Sequence, residues 1–72
     1  MTAKRPLLQA AREELGLTRA QFAERLGVSQ EHVKSLEYGR VNPSTKLLFK
    51  ISAELSRPPE ELFSDIIQYV QN

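Results

Sequence analysis

The chain of 72 residues lacks cysteine and tryptophan and contains only three glycines and four prolines. Without cysteine it can form no disulfide, no thiolate zinc site and no cysteine nucleophile, which fits a reducing compartment. Long apolar runs are also missing, and charged residues follow the first methionine too soon for a signal peptide. We therefore expect one small domain, residues 1–72, in the cytoplasm and stabilised by packing alone.

Catalytic and metal-binding constellations are missing as well. No cluster combines a nucleophile with a base, paired carboxylates, a set of metal ligands or a phosphate-binding glycine loop. The single His32 has no second metal ligand, so we interpret it as a structural or phosphate-side residue. We expect no enzymatic activity, no cofactor, no metal, no membrane association and no small-molecule ligand.

Charge is unevenly distributed along the chain. Residues 1–52 contain nine Lys or Arg against five Asp or Glu, a net charge of +4, whereas residues 53–72 contain one basic residue against four acidic ones, a net charge of −3. This asymmetry suggests a body that faces an anion and a C-terminal end that faces away from it.

Start and stop signals for helices recur along the chain, while strand signals are nearly absent. We predict a compact all-α fold of five helices. Helix 1 covers about residues 6–15 and ends at Gly16, helices 2, 3 and 4 follow the expected N-caps Thr18, Ser29 and Ser44, and helix 5 runs from Pro59 nearly to the end of the chain.

The segment LTRAQF carries the signature of a helix start. Thr18 is the expected N-cap, Gln21 completes a capping box, and Leu17 and Phe22 are spaced for a hydrophobic staple. The apolar positions that helix 2 is predicted to bury are Ala20, Phe22, Ala23 and Leu26.

Helix 3 follows after a tight turn at Gly27 and has two different faces on a helical wheel. Val33 and Leu36 form a narrow apolar stripe that attaches the helix to the body. A short helix held in this way can insert its free face into the major groove of DNA, although a solvated surface helix has the same pattern. The free face is polar throughout and consists of Gln30, Glu31, Lys34, Ser35 and Tyr38.

Three motifs between residues 7 and 63 match one known family. They are FAERLGVS at the turn between helices 2 and 3, the pattern of Val33, Leu36, Glu37 and Gly39, and NPS before helix 4. On these motifs the chain resembles the Cro/repressor-type helix-turn-helix family, also called the xenobiotic-response-element family. The resemblance implies a lambda-repressor-like core at about residues 6–63 with a C-terminal helical extension at 64–72. It also implies a regulator of transcription, most often a dimeric repressor, that binds double-stranded DNA.

The resemblance assigns base contacts to the start of helix 3 and to the residues one turn later, which are Gln30, Glu31, Lys34 and Ser35. Glutamine can pair with adenine, lysine with guanine or a phosphate, and glutamate with cytosine. Phosphates repel Glu31, however, and an acid is also favourable at a helix N-terminus without any DNA contact, so both interpretations stay open. Ser35 is short enough to reach only a sugar or a water.

Phosphate contacts are implied at the start of helix 2, in the loop after helix 3 and at the start of helix 4. Amides at helix N-termini attract anions, and basic side chains beside them add charge. Lys46 could instead be solvated, and Asn42 before Pro43 could only shape the turn. The residues at these places, together with Tyr38, are Arg19, Arg40, Asn42, Ser44 and Lys46.

Two further features follow from the family pattern. It pairs Glu37 with an arginine late in helix 1, here Arg12, and a partly buried pair would orient helix 3 against helix 1. The alternative is two unrelated surface charges.

The family also ends helix 4 with glycine, whereas this chain has Ser56 followed by Arg57. A left-handed serine costs about 1 kcal/mol, so we expect the turn between helices 4 and 5 to differ in detail.

Helix 5 has a wider apolar arc than packing against one body requires. Leu62 and Tyr69 are predicted to face the chain's own core, and Phe63, Ile67 and Val70 to contact a second copy. Such a homodimer would separate two copies of helix 3 by about 34 Å, one turn of B-DNA, and would bind a palindromic operator. A terminal helix that only covers the core is the alternative.

A protein-interaction module, such as an antitoxin-like partner whose DNA binding is secondary, is the second functional hypothesis. Protein interfaces favour aromatic and aliphatic anchors, and the polar face of helix 3 offers only Tyr38. We therefore predict a sequence-specific, DNA-binding repressor.

Overall fold

A computed structural model of the chain describes residues 4–67. Within this range the backbone contains no strand and forms five helices, α1 (Pro6–Glu14), α2 (Arg19–Leu26), α3 (Gln30–Glu37), α4 (Thr45–Leu55) and α5 (Pro59–Leu62). The predicted all-α, five-helix fold is confirmed. None of these helices is long and apolar enough to cross a lipid bilayer.

Side-chain caps start the three central helices. Thr18 and Gln21 form the predicted capping box, in which the Gln21 amide donates to the Thr18 hydroxyl at 3.1 Å and the Thr18 amide donates to the Gln21 side-chain oxygen at 2.9 Å. Ser29 and Ser44 each accept a hydrogen bond from the amide three residues later, at 3.0 and 3.2 Å. These bonds satisfy amides that have no partner within their own helix, so local sequence determines where the helices begin.

A short turn connects α2 to α3. Gly27 has a φ of 73°, in the left-handed region that a residue without Cβ adopts without strain. Val28 packs against the core, and Ser29 then caps α3. The brevity of this turn lets α2 and α3 pack directly against each other, which orients α3 on the body.

The core is built from the inner faces of all five helices. Val33 and Leu36, the predicted stripe of α3, are each 1% exposed, and Phe22 of α2 is buried to the same extent. Burial of each such side chain stabilises the fold by roughly 1.5–3 kcal/mol. Ala20 is exposed, so its prediction as a core residue is wrong, because it lies on the outer side of the first turn of α2.

The turn after α4 takes the left-handed route that glycine usually provides. Ser56 has φ 52° and ψ 42°, and it is the one residue other than glycine with a positive φ between residues 4 and 67. The Ser52 hydroxyl donates to the Arg57 carbonyl and braces the turn. Ser56 is therefore strained by about 1 kcal/mol, whereas glycine adopts this conformation freely. The expected difference in detail from the family's turn stays a prediction.

α5 is much shorter than predicted. It contains four residues, and Phe63 leaves the helical region with φ −126° and ψ 44° before a turn that extends to residue 66. This departure inserts the Phe63 ring into the core and brings Asp65 to Arg5 at 2.9 Å. A continuous helix through residue 67 is therefore wrong. Tyr69 and Val70 lie outside the described residues.

Candidate nucleic-acid interface

Glu37 at the end of α3 is buried, with 1% of its surface exposed, and accepts hydrogen bonds from two arginines. Arg12 of α1 donates from Nε at 2.6 Å and from Nη2 at 3.3 Å, and Arg19 of α2 donates from Nε at 2.9 Å. Arg12 also donates from Nη1 to the Leu17 carbonyl at 2.7 Å. Because a buried charge is costly without its partners, this cluster orients α3 against both α1 and α2.

Arg19, predicted to contact a phosphate, also has this structural role. The hydrogen bond that Arg19 donates to Glu37, together with the negative charge of that carboxylate, raises the pKa of Arg19 above its ordinary value. A quarter of the Arg19 side chain remains exposed. Its terminal nitrogens can therefore reach a phosphate while Nε stays on Glu37, and the phosphate contact remains a prediction.

Four cations surround the half-exposed ring of Tyr38, where α3 ends. The ring centroid lies 5.1 Å from Lys4 Nζ, 5.1 Å from Arg40 Cζ, 5.5 Å from Arg19 Cζ and 5.8 Å from Lys34 Nζ. Attraction between each cation and the electron-rich ring offsets part of the repulsion among the cations. We refer to these five residues as the Tyr38 cluster. It concentrates positive charge where a polyanion such as nucleic acid can bind.

Lys4 is a site residue that no sequence motif marks. It precedes α1, and no motif indicates that this segment returns to the end of α3. The backbone amide of Arg5 donates to the Glu37 carbonyl at 2.8 Å, and this long-range bond brings Lys4 to Tyr38. Only the charge of Lys4 was a signal in the sequence.

The predicted base-reading residues lie on α3 opposite its buried stripe. Gln30 and Glu31 are exposed, and Lys34 and Ser35 are half-buried. Lys34 belongs to the Tyr38 cluster, so it connects the base-reading face to the cationic surface. Glu31 lies in the first turn of α3, where a carboxylate is favourable with or without DNA, and its base contact stays a prediction.

An open groove runs between the first turn of α3 and the start of α4. Ser44 caps α4 beside it, and Lys50 donates from Nζ to the Leu26 carbonyl at 3.2 Å, which satisfies the end of α2. The amides of the first turn of α4 and the lysines favour an anion here. The residues that line the groove are Leu26, Val28, His32, Ser44, Lys46, Leu47 and Lys50.

Asn42, in the loop after α3, is exposed but bonded on one side. Its side-chain oxygen accepts a hydrogen bond from Arg5 Nη2 at 2.8 Å. This bond ties Asn42 to Arg5, and among residues 4–67 its NH2 group donates no hydrogen bond. Both interpretations of Asn42, phosphate contact and shaping of the turn, stay predictions. Arg40, two residues earlier, is exposed beside Tyr38.

The residues predicted to form a dimer interface have different environments. Phe63 is 0% exposed inside the chain's own core, so its prediction as an interface residue is wrong, because it has no surface left for a partner. Ile67 is half-buried and packs against the core, while its neighbour Ile66 is 40% exposed. Val70 lies outside the described residues.

Buried polar side chains in the described part of the chain are fully hydrogen-bonded. Every buried side-chain nitrogen and oxygen there has a hydrogen-bond partner. In the same range no three His, Cys, Asp or Glu side chains are placed to hold a metal ion. The unsatisfied hydrogen-bonding capacity of residues 4–67 is therefore on the surface, including the outer face of α3.

Residues 8–62 match the model of a helix-turn-helix family, which is more than half of the chain. The chain therefore belongs to this family, of the Cro/C1 type, with the helix-turn-helix formed by α2 and α3. The family is a class of DNA-binding regulators of transcription and not a class of enzymes.

Archaeal relatives support this assignment. Over 53 residues the chain is 43% identical to an uncharacterized HTH-type transcriptional regulator of Methanothermobacter thermautotrophicus, covering 74% of this chain and 77% of that protein. A protein of the same description from Archaeoglobus fulgidus is 34% identical over 59 residues, covering 82% and 84% of the two chains. A third, from Methanocaldococcus jannaschii, is 38% identical over 47 residues, covering 65% and 71%.

Proposed function

We propose that the protein is a sequence-specific repressor of transcription that binds a palindromic operator as a homodimer, with α3 in the major groove. The observation that carries this proposal is the pair of faces on α3. Val33, Leu36 and Glu37 are each 1% exposed and hold the helix to the body, whereas Gln30 and Glu31 are exposed on the opposite side. A firmly held helix with a free polar face suits the reading of base edges.

The cationic surfaces at the two ends of α3 support the same binding mode. The helix has eight residues and therefore rises about 12 Å, which matches the width of the major groove. The Tyr38 cluster lies at its C-terminal end and the groove containing Lys46 at its N-terminal end. Phosphates on both sides of a groove that holds α3 would therefore meet positive charge.

We assign the roles according to this geometry. The proposed base-reading residues are Gln30, Glu31, Lys34 and Ser35. The proposed phosphate contacts are Arg19, Tyr38, Arg40, Asn42, Ser44 and Lys46, joined by Lys4. Repression is the simplest consequence of occupying an operator. Since DNA is the proposed target, the proposed compartment is the cytoplasm.

Selection of bound sequences from random duplex DNA tests the proposal. The protein should bind the selected duplex more tightly than a scrambled one, in a salt-dependent manner. Gln30→Ala should relax the preference at one base position, at a cost of about 1–3 kcal/mol for the selected site. Arg40→Ala should weaken binding to all duplexes alike and reduce the salt slope by about one unit.

Arg25→Ala provides the control for loss of one positive charge. The Arg25 side chain is 53% exposed and lies 3.8 Å from Glu54, outside the Tyr38 cluster. It should change affinity much less than Arg40→Ala. Equal affinity of the wild-type protein for selected and scrambled DNA would refute a sequence-specific regulator, and an unchanged motif for Gln30→Ala would refute α3 as the reading helix.

A further inference from the structure

Arg5 is buried, with 3% of its surface exposed, and uses every N–H of its guanidinium. Nε and Nη2 donate to the Asp65 carboxylate at 3.0 and 2.9 Å. Nη1 donates to the carbonyls of Leu36 and Val41 at 2.7 and 2.8 Å, and Nη2 donates to Asn42 Oδ1 at 2.8 Å. One side chain therefore connects the end of α3, the loop after it and the turn after α5.

Only arginine has the geometry for these bonds. Its five donors lie in one plane and point in fixed directions, whereas lysine has three donors on a single nitrogen. The Phe63 ring, with its centroid 5.1 Å from Arg5 Cζ, packs against the guanidinium. Asp65 supplies the one carboxylate that Arg5 contacts among the described residues.

The bond to Arg5 determines which end of the Asn42 amide faces outward. A guanidinium can only donate, so Asn42 must turn its oxygen to Arg5, and its NH2 group then has no bond to any other residue in the described part of the chain. An outward NH2 can donate to a phosphate, whereas an outward carbonyl oxygen would be repelled by it. Without Arg5 nothing in this network would prevent the amide from rotating.

We propose that Arg5 and Asp65 are positioning residues for DNA binding. Asp65 holds Arg5, Arg5 orients Asn42 and the loop at residues 40–42, and this loop presents the Asn42 NH2 and Arg40 to the DNA backbone. The inference rests on the proposed function and identifies how its phosphate contacts are oriented. It gives Asp65, an acidic residue, the unusual effect of strengthening the binding of a polyanion.

The predicted effect of Asp65 on DNA affinity is opposite to the effect expected from its negative charge. It can therefore be tested directly against a control that removes the same charge elsewhere. Asp65→Ala and Glu60→Ala each remove one negative charge from the C-terminal part of the chain, so charge alone predicts that both bind DNA more tightly. Glu60 lies in the first turn of α5 and is not an acceptor of Arg5. We expect Asp65→Ala to bind the selected duplex about tenfold more weakly, and Glu60→Ala to bind it equally or more tightly.

Arg5→Lys keeps the net charge and removes the planar fork, so it should reproduce the loss seen with Asp65→Ala. Since Arg5 is buried, this variant can lose stability. Affinities are therefore compared at a temperature well below the unfolding midpoint of every variant. Asp65, whose side chain is 31% exposed, provides the test even if Arg5→Lys does not fold.

A double-mutant cycle with Asn42→Ala separates positioning from general loosening of the fold. If Asp65 acts through Asn42, the tenfold effect of Asp65→Ala should fall to about twofold in the Asn42→Ala background. General loosening would weaken both backgrounds by the same factor. If the wild type discriminates between selected and scrambled DNA, but Asp65→Ala binds like Glu60→Ala or loses equally in both backgrounds, the positioning role is wrong and the proposed function stands. A wild type that binds both duplexes equally overturns both.

Discussion

At the scale of single residues, the arginines of this chain are divided between structure and ligand binding. Arg5 and Arg12 are 3% and 6% exposed and are bonded to carboxylates and carbonyls. Arg40 is exposed beside Tyr38, and Arg19 both holds Glu37 and borders the same ring. The net charge of residues 1–52 therefore overstates the positive charge that DNA can contact, because part of it is neutralised inside the fold.

Ser56→Gly should stabilise the protein. The left-handed conformation costs serine about 1–2 kcal/mol, whereas glycine adopts it freely. Glycine loses about 0.5–1 kcal/mol through the greater freedom of the unfolded chain, so the expected net gain in the free energy of unfolding is up to about 1.5 kcal/mol. Denaturant titration measures it.

Ala53→Gly is the control for this change, since Ala53 is exposed within the same helix. Glycine in a helix interior costs about 1 kcal/mol, so this variant should be less stable. Shifts of both variants in the same direction would contradict the strain that we attribute to Ser56.

At the scale of the elements, α3 is attached at its centre by apolar contacts and at its C-terminal end by charge. Val33 and Leu36 bury the inner face, and Glu37 joins Arg12 and Arg19. The apolar contacts hold the helix against the body without specifying its direction strongly, because they are few. The hydrogen-bonded ions are directional and add the orientation that a base-reading helix needs.

Arg12→Ala should lower the free energy of unfolding by about 1–3 kcal/mol, because it leaves buried Glu37 with one partner and the Leu17 carbonyl with none from Arg12. Because Arg19 still donates to Glu37, the loss of stability should be smaller than for a buried carboxylate without any partner. Arg25→Ala, which removes a half-exposed arginine 3.8 Å from its partner, should change stability by less than about 1 kcal/mol. Thermal unfolding of the two variants checks this, and equal midpoints would mean that the buried pair does not stabilise the fold.

The elements that could be predicted from sequence are those whose signals are local. Thr18, Ser29 and Ser44 mark helix starts because each cap acts within three residues of itself. The end of α5 could not be found in this way. Phe63 falls on the apolar arc of a helical wheel whether or not the helix continues past Leu62. Its burial follows from a backbone that leaves the helix at this residue.

The candidate site likewise contains residues that local sequence patterns predict and residues that only long-range contacts bring together. Gln30 and Lys34 followed from the face of one helix, and Glu37 with Arg12 followed from a family pattern. The contribution of Lys4 and the bonds of Arg5 depend on segments far apart in the chain, since Arg5 and Asp65 are separated by 60 positions. No periodicity or local motif encodes a contact over that separation.

At the scale of the whole molecule, basic and acidic surfaces are separated by the fold as they are by the sequence. The Tyr38 cluster and the groove with Lys46 flank α3, whereas α5 carries acidic residues in its first turn. Asp65 is an exception, because it is neutralised by Arg5. Ile66, a large apolar residue in the turn after α5, is exposed beside these acidic residues. An acidic and apolar surface is better suited to contact with a second copy than to contact with DNA.

We predict a symmetric homodimer whose interface includes Ile66, which is 40% exposed although it is large and apolar. The two copies of α3 are predicted to lie about 34 Å apart, in successive major grooves of B-DNA. Ile66→Asp should weaken dimerisation at least tenfold, because each copy loses the burial of a side chain that contributes roughly 1.5–3 kcal/mol. Ser64→Asp adds the same charge at an exposed neighbour and is the control. Sedimentation equilibrium decides the matter, since a wild type that stays monomeric at high concentration, or an Ile66→Asp variant that dimerises like the wild type, would rule out this interface.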